Sequence, residues 1–318
     1  MEKTIDQPKF APSRRSFLAG AGALSAAALV AGCSDSGTVT IVPPVTTLTD
    51  FDILNFALNL EYLEAEFYLR AATGDGLATV DIGGNPGTVT GGAKVPNLTP
   101  AQQQILNEIA FDEQSHVQFL RKALGSAAVP RPNIDFKASF PALANAAGIT
   151  GVTFNPFADF NSFLVGAFVF EDVGVTAYHG AAGLISNAGI AAGYLAAAAG
   201  ILAVEAYHAA YVRTALTGSA IAAAIASPVT AYPYLDFANK ISALRGTLGG
   251  GMETPLVVPT STSTPSSIVA ADTKNAIAFA RTTDQVLHIV YGTGGAAGVS
   301  KGAFFPNGLN GKITATTA

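Results

Sequence analysis

AVEAYHAAYVR, residues 203–213, sets Glu205 and His208 three apart in an alanine-rich run that reads as helix. Residues at that spacing share one helix face, so a carboxylate and an imidazole point the same way. FDEQSHVQFL, residues 111–120, repeats the spacing with Glu113 and His116. Two Glu-x-x-His pairs call for facing carboxylates, and two further acids lie in apolar helical stretches. Glu171 follows Val169 and Phe170 and precedes Val173, while LEYLEAEFY, residues 60–68, supplies Glu61, Glu64 and Glu66. An unpaired glutamate in such surroundings is costly to bury, so these acids demand cationic partners. The nearby basic residues, Arg70, Arg121, Lys122 and Arg213, are few. The blander alternative is a set of solvated helix edges and internal salt bridges. The doubled motif and the embedded acids favour a dinuclear metal site.

Helix boundaries follow from punctuation. Thr49 or Asp50 is a candidate N-cap for a first helix over about 51–72, with Ile53, Ala57, Leu60, Glu64, Phe67 and Ala71 forming its stripe. A Gly-, Thr- and Pro-rich loop over 73–98, with room for a short β-hairpin, precedes a second helix opened by Thr99-Pro100 and ended at Gly125. A Pro-containing crossover runs to about residue 156. The third helix covers residues 157–180, and a short link leads to the fourth, about 190–217. Short links join antiparallel neighbours, so the third and fourth helices form a hairpin. Each hairpin supplies one lone Glu and then one Glu-x-x-His. Beyond Pro228 the periodicity weakens. Residues 254–269 read as a low-complexity linker, and Asp272 to Tyr291 as one further helix before Gly-rich coil.

The 318 residues carry only 12% charged side chains and a net charge of −5, with no basic run, which argues against nucleic acid as a partner. The single cysteine, Cys33, excludes an intramolecular disulfide and a cysteine-based metal cluster. Ser13-Arg14-Arg15-Ser16-Phe17-Leu18, an apolar run to about residue 32, and Leu29-Val30-Ala31-Gly32-Cys33 stand in the order of a twin-arginine export signal and a lipoprotein processing box. That order implies cleavage and acylation at Cys33, a lipid anchor in a membrane, and a periplasmic-side address in the cell envelope. Ser34, rather than Asp, follows the cysteine, which by resemblance to Gram-negative lipoproteins implies the outer membrane. The bland alternative is a transmembrane anchor, for which the run is short against the ~20 residues of a span. The resulting organisation is a signal over 1–33, a tether over 34–48, a helical bundle over 49–220 and a C-terminal extension over 221–318.

One Glu from each of two helices and a Glu-x-x-His from each of two others resembles the ferritin-like pattern. ALNLEYLEAEFYLRA, EQSHVQFL, FEDVGVTAYHGAA and VEAYHAAYVR, with ARTTDQVLHIVYG and GAFFPNGLNGKI beyond them, resemble the desiccation-related branch of the ferritin-like proteins, here a bacterial, exported member. The resemblance covers about residues 48–312. It implies an all-α, ferritin-like four-helix bundle with one long crossover between the second and third helices, plus a C-terminal helix-and-coil extension. The expected metal ligands are Glu61, Glu113, His116, Glu171, Glu205 and His208. Glu64 is the alternative on the first helix; Glu61 is favoured because it lies seven residues before Tyr68. Iron and manganese both accept such ligands, so the expected cofactor is two Fe or Mn ions. Dioxygen or hydrogen peroxide is the expected substrate, through catalase- or ferroxidase-like chemistry in envelope stress protection. The alternative is a non-catalytic desiccation-related protein with a structural or vestigial metal. Oligomerisation is left open. Tyr62, Tyr68, Tyr178 and Tyr207 are candidates for bonds to ligands, and His179 and His288 for structural or surface roles.

Overall fold

Thr49 opens the first helix through a capping box. Its hydroxyl accepts from the Asp52 amide at 3.3 Å, and the Asp52 carboxylate accepts from the Thr49 amide at 2.8 Å. The computed structural model describes residues 48–226, 233–257 and 268–317. The expected signal, Cys33 and nearly all of the tether lie outside these residues, as does much of the expected linker. Helix α1, Asp50–Thr73, ends on Gly74, whose φ of +96° suits a residue without Cβ. It is buried almost all round, as a central helix must be.

Helix α2, Pro100–Leu124, starts behind Thr99 and Gln102, a second capping box, with proline at the position where its missing N–H costs nothing. The crossover that follows holds a helix not anticipated from sequence, α3, Ser139–Ala146. Phe140, Leu143 and Ala144 bury one face of it. Phe140 joins an aromatic cluster in which Phe67 meets Phe136, Phe157, Phe163 and Phe170 at ring-centroid distances of 5.2–6.0 Å. Helix α4, Phe160–Ala182, begins three residues later than expected because Asp159 caps it, accepting from the Ser162 amide at 2.9 Å.

A short α5, Asn187–Ala191, and a break at Gly193, φ +86°, lead into α6, Tyr194–Ala226, which extends past the expected end at 217. Both α4 and α6 are long and apolar enough to cross a membrane by length and composition. The charged residues of α6, Glu205, His208 and Arg213, are nevertheless buried, as is nearly all of α4, so both serve as bundle helices. Helices α1 and α2 pack as one hairpin and α4 and α6 as the other, with α1 also against α4. The chain is thus an all-α four-helix bundle with its long crossover between α2 and α4.

Three expectations are corrected. The loop over 73–98 forms no hairpin of its own: β1, Val89–Thr90, pairs in parallel with β2, Ile134–Asp135, from the crossover. Residues 233–248 form helix α7, Pro233–Leu248. Its buried face, Ala238, Ile241, Ser242 and Arg245, has helical spacing but mixes polar residues into the stripe, which hid it. The last helix, α8, is confined to Thr283–Tyr291. The Asp272 carboxylate accepts from the Lys274 and Asn275 amides at 3.0 and 2.9 Å, a side-chain-closed turn that diverts the chain from helix.

The C-terminal extension is clamped to α4 by charge. Asp172 accepts from Arg213 and Arg245, each at 2.9 Å, and Glu253 accepts from Arg245 and Arg281, each at 2.7 Å. Arg281 also donates to the Thr176 hydroxyl at 2.9 Å, and its own amide donates to the Thr176 carbonyl. The three arginines are at most 1% exposed. Removing one partner from such a network strands buried charge.

Candidate metal centre

Four helices of the bundle bring their acids to one point. Glu61 from α1, Glu113 and His116 from α2, and Glu205 from α6 each offer a ligand atom within 4.8 Å of the others. Glu113, Glu171 from α4 and His208 from α6 form a second such group. Glu113 belongs to both, so its two oxygens can serve adjacent ions. All six residues are at least 92% buried.

Both histidines present Nδ1 to this cluster. His116 Nδ1 lies 3.2 Å from Glu61, 3.5 Å from Glu113 and 3.8 Å from Glu205, and His208 Nδ1 lies 3.0 Å from Glu113 and 3.7 Å from Glu171. None of these approaches has hydrogen-bond geometry. Eight converging buried atoms lack a hydrogen-bond partner: Oε2 of Glu61, both oxygens of Glu113, Oε2 of Glu171, both oxygens of Glu205, and the two Nδ1 atoms. Buried polar atoms are almost always satisfied, so a knot of orphans is a place where a cation fits. Carboxylate and imidazole donors suit iron or manganese.

Protonation tells the same story. Burial raises Glu61 to about 7 and Glu171 to about 8, with His116 and His208 respectively pulling back. Burial and neighbouring carboxylates hold Glu205 and Glu64 well above the ordinary range. Burial would raise Glu113 as well, but the two flanking histidines outweigh it and bring it to about 2. Against burial, Glu61 and Glu113 lift His116 to about 11, and Glu171 and Glu113 lift His208 to about 9. Burial thus favours the protonated forms of several of these carboxyls, and a cation beside them would relieve the same penalty.

Around the ligands lies a symmetric set of supports. Tyr68 donates to Glu171, and Tyr178 donates to Glu61. Each tyrosine lies seven residues beyond the glutamate of its own helix and reaches the glutamate of the other, a two-fold exchange between α1 and α4. Burial first, then the adjacent carboxylate, keeps both phenols well above their usual pKa. The Nε2 of His208 meets Asp112 at 3.1 Å, which fixes the tautomer that leaves Nδ1 facing the cluster. Sequence reasoning passed over Asp112, although it stands next to Glu113. It also passed over Gly174 on α4. A Cβ there would lie 2.2 Å from Glu205 Oε2 and 3.3 Å from Glu64 Oε1.

The remaining candidates separate cleanly. Glu64 is 4% exposed and shares the acidic neighbourhood, but it falls in neither ligand group. It lines a small apolar cavity of about 20 Å³, room for one water, walled by Leu60, Val173, Gly174, Ile289 and Phe304. Glu66 turns away to Arg131 and Arg70. Tyr62 bonds the Val129 carbonyl at 3.1 Å and accepts from Arg121 at 2.6 Å, and Tyr207 is 74% exposed. His179 Nδ1 meets the Ala278 carbonyl at 2.9 Å. His288 is buried, with Nδ1 on the Thr293 carbonyl at 2.8 Å. Between α2 and α6 a cleft of about 290 Å³, lined by Ile105, Val204, Tyr207 and Tyr211, opens onto Asp112 and His208.

Comparison with known proteins agrees with this geometry. Residues 49–218 match the model of the ferritin-like domain. The chain is 33% identical over 285 residues to the ferritin-like catalase Nec2 of Nesocodon mauritianus, covering 83% of this chain and 84% of that protein. It is 32% identical over 277 residues to the desiccation-related protein PCC13-62 of Craterostigma plantagineum, with the same coverage.

Proposed function

The chain belongs to the ferritin-like domain family, and on that premise we propose that it is a dimetal carboxylate protein that disproportionates hydrogen peroxide. The observation that carries this reading is the knot of eight orphaned ligand atoms, divided into two groups that share Glu113. One relative bears the name of a catalase, which supports peroxide as the substrate. Two iron or manganese ions held there would supply redox chemistry, taking an electron pair from one peroxide and returning it to another.

The chain's own groups divide the remaining work. Glu113 bridges the two ligand groups, and Asp112 sets the His208 tautomer. Tyr68 and Tyr178 hold Glu171 and Glu61 in place by donating to them. Disproportionation moves two protons from the peroxide that becomes dioxygen to the one that becomes water, so groups beside the ligands must relay them. Glu64 suits one half of that relay, giving its proton to the peroxide that is reduced and regaining one from the peroxide that is oxidised, because its carboxyl is buried, is pushed toward its protonated form by burial and neighbouring carboxylates, and belongs to neither ligand group. The α2–α6 cleft is the route by which peroxide arrives. No external reductant is consumed, in keeping with a chain whose single cysteine cannot build a four-cysteine iron centre.

The order of Arg14-Arg15, the apolar run and Cys33 supports an exported, lipid-anchored protein on the periplasmic side of the envelope, where peroxide removal serves stress protection. The equally similar desiccation-related protein favours a second reading, a stress protein whose metal is structural. Reconstitution with Mn(II) or Fe(II) and measurement of dioxygen evolved per peroxide consumed separates the two. One dioxygen per two peroxides supports disproportionation. Fe(II) oxidation without dioxygen evolution means ferroxidase chemistry, and no turnover by the loaded protein leaves the structural reading.

A further inference from the structure

From Gly180 to Val204 the chain contains no Asp, Glu, Lys, Arg or His. In a protein that lies inside a core this would be unremarkable, but here much of the stretch is at the surface. Leu184 and Ile190 are 49% and 48% exposed. Three other large apolar side chains share this end of the bundle: Leu48, Phe51 and Phe119, between 40% and 48% exposed. Contacts tie them into one patch. Asp50 accepts from the Ser186 amide at 2.8 Å and hydroxyl at 2.6 Å, which draws the start of α1 onto α5. The Phe51 ring lies 6.3 Å from Tyr194, and Phe119 shares an apolar groove with Leu54, Tyr194 and Ala197. Near it stands exposed Lys122, three residues beyond Phe119 on α2 and a cation suited to lipid headgroups, while exposed Lys312 pairs with Asp52 at 3.0 Å.

Soluble surfaces rarely expose a contiguous apolar area of this kind unless something covers it. The position of the patch identifies the occupant. The chain enters the bundle at Leu48, inside the patch. The 14 residues 34–47 that separate it from Cys33 reach at most about 50 Å. An acyl anchor on Cys33 would therefore keep this end of the bundle close to the bilayer, where an apolar protein face and an acyl chain act together. We propose that the end of the bundle formed by Leu48, Phe51, Phe119, Leu184 and Ile190 docks on a lipid surface. This rests on the lipid-anchor reading and is independent of the metal.

The chain has no tryptophan, so one introduced there is the sole such fluorophore. Ile190→Trp, Leu184→Trp and the control Val152→Trp are made in the full chain. Val152 precedes the N-terminus of α4 and is 54% exposed, about 33 Å of helix away from Leu184. Each protein is bound to phosphatidylethanolamine–phosphatidylglycerol vesicles carrying brominated lipid and checked by flotation. Blue-shifted, quenched emission from Trp at 184 and 190, with none at 152, is the expected result. A chain that floats but is quenched at none of these positions overturns the docking and leaves the anchor standing. A chain that does not float overturns both. A blue shift without lipid that grows with protein concentration, alongside a dimeric mass, assigns the patch to a second copy and overturns the proposal. Peroxide turnover and metal content, measured on the same samples, report on the proposed function separately.

Discussion

Replacing Gly174 by alanine separates the centre from the fold. The added methyl would lie 2.2 Å from Glu205 Oε2, 3.0 Å from its carboxyl carbon and 3.3 Å from Glu64 Oε1. No backbone atom is among these neighbours, so relief comes from the end of the Glu205 side chain swinging away from the cluster. Alanine inside a helix is favoured over glycine by about 1 kcal/mol, which offsets the cost of that movement. The metal-free variant should therefore melt within about 2–4 °C of the parent. Metal binding should suffer because Glu205 is displaced from the group it forms with Glu61, Glu113 and His116. Disturbing what holds a ligand costs about 10–100-fold in affinity, and losing the ligand's position should reach at least that range. Calorimetric melting of the metal-free proteins and chelator-competition titration with Mn(II) give the two numbers. Unchanged affinity with unchanged stability would refute the assignment of Glu205 as a ligand. A large loss of metal-free stability would refute the argument that only a side-chain end must move.

Four other outcomes are expected. Glu171→Ala should reduce metal content from two ions to one per chain, because the Glu61, Glu113, His116 and Glu205 group survives, whereas Glu113→Ala should abolish both; elemental analysis decides. Asp112→Ala should weaken metal binding about 10–100-fold by freeing the His208 tautomer, with helix content unchanged by circular dichroism. Arg245→Ala should destabilise the fold by about 1–3 kcal/mol, since it removes one of the two arginines that buried Asp172 and half-buried Glu253 each pair with, without changing metal stoichiometry.

The fourth is a pH dependence. Glu61, Glu171, His208 and His116 have folded pKa values raised to about 7, 8, 9 and 11. Their stabilisation of the metal-free fold is complete below the unfolded values of 4.5 and 6.5 and is lost as pH rises through the raised ones. Glu113, depressed to about 2, contributes above 4.5 and loses its contribution as pH falls through 2. Metal capture displaces the protons held by the raised groups, so the melting-temperature gap between loaded and metal-free protein should widen between about pH 6 and 9. A gap that narrows with pH would contradict this.

The centre was legible because its chemistry has a helical period. Glu113-x-x-His116 and Glu205-x-x-His208 share faces whatever the rest of the fold does, and burying Glu171 among Val169, Phe170 and Val173 demands a partner. The choice between Glu61 and Glu64 turned on the seven-residue step to Tyr68. That step acquires meaning when Glu171 and Tyr178 repeat it and the two tyrosines cross over. Gly174 was invisible because its role is an absence, seen only when Glu205 and Glu64 arrive from other helices. Helix α7 escaped notice for a related reason. Arg245 and Ser242 read as solvent-facing until Asp172, 73 residues away, and Glu253, beyond the end of the helix, are placed against them. Periodicity exposes what a helix does alone, and long-range charge pairing does not show in it.

The most direct test is the metal content of the full chain as purified and again after reconstitution with Fe(II) or Mn(II) at about pH 8, where protons compete less. Two ions per chain, lost on Glu113→Ala, is the expected result. Less than one ion per chain, unchanged by reconstitution, would contradict a dimetal centre.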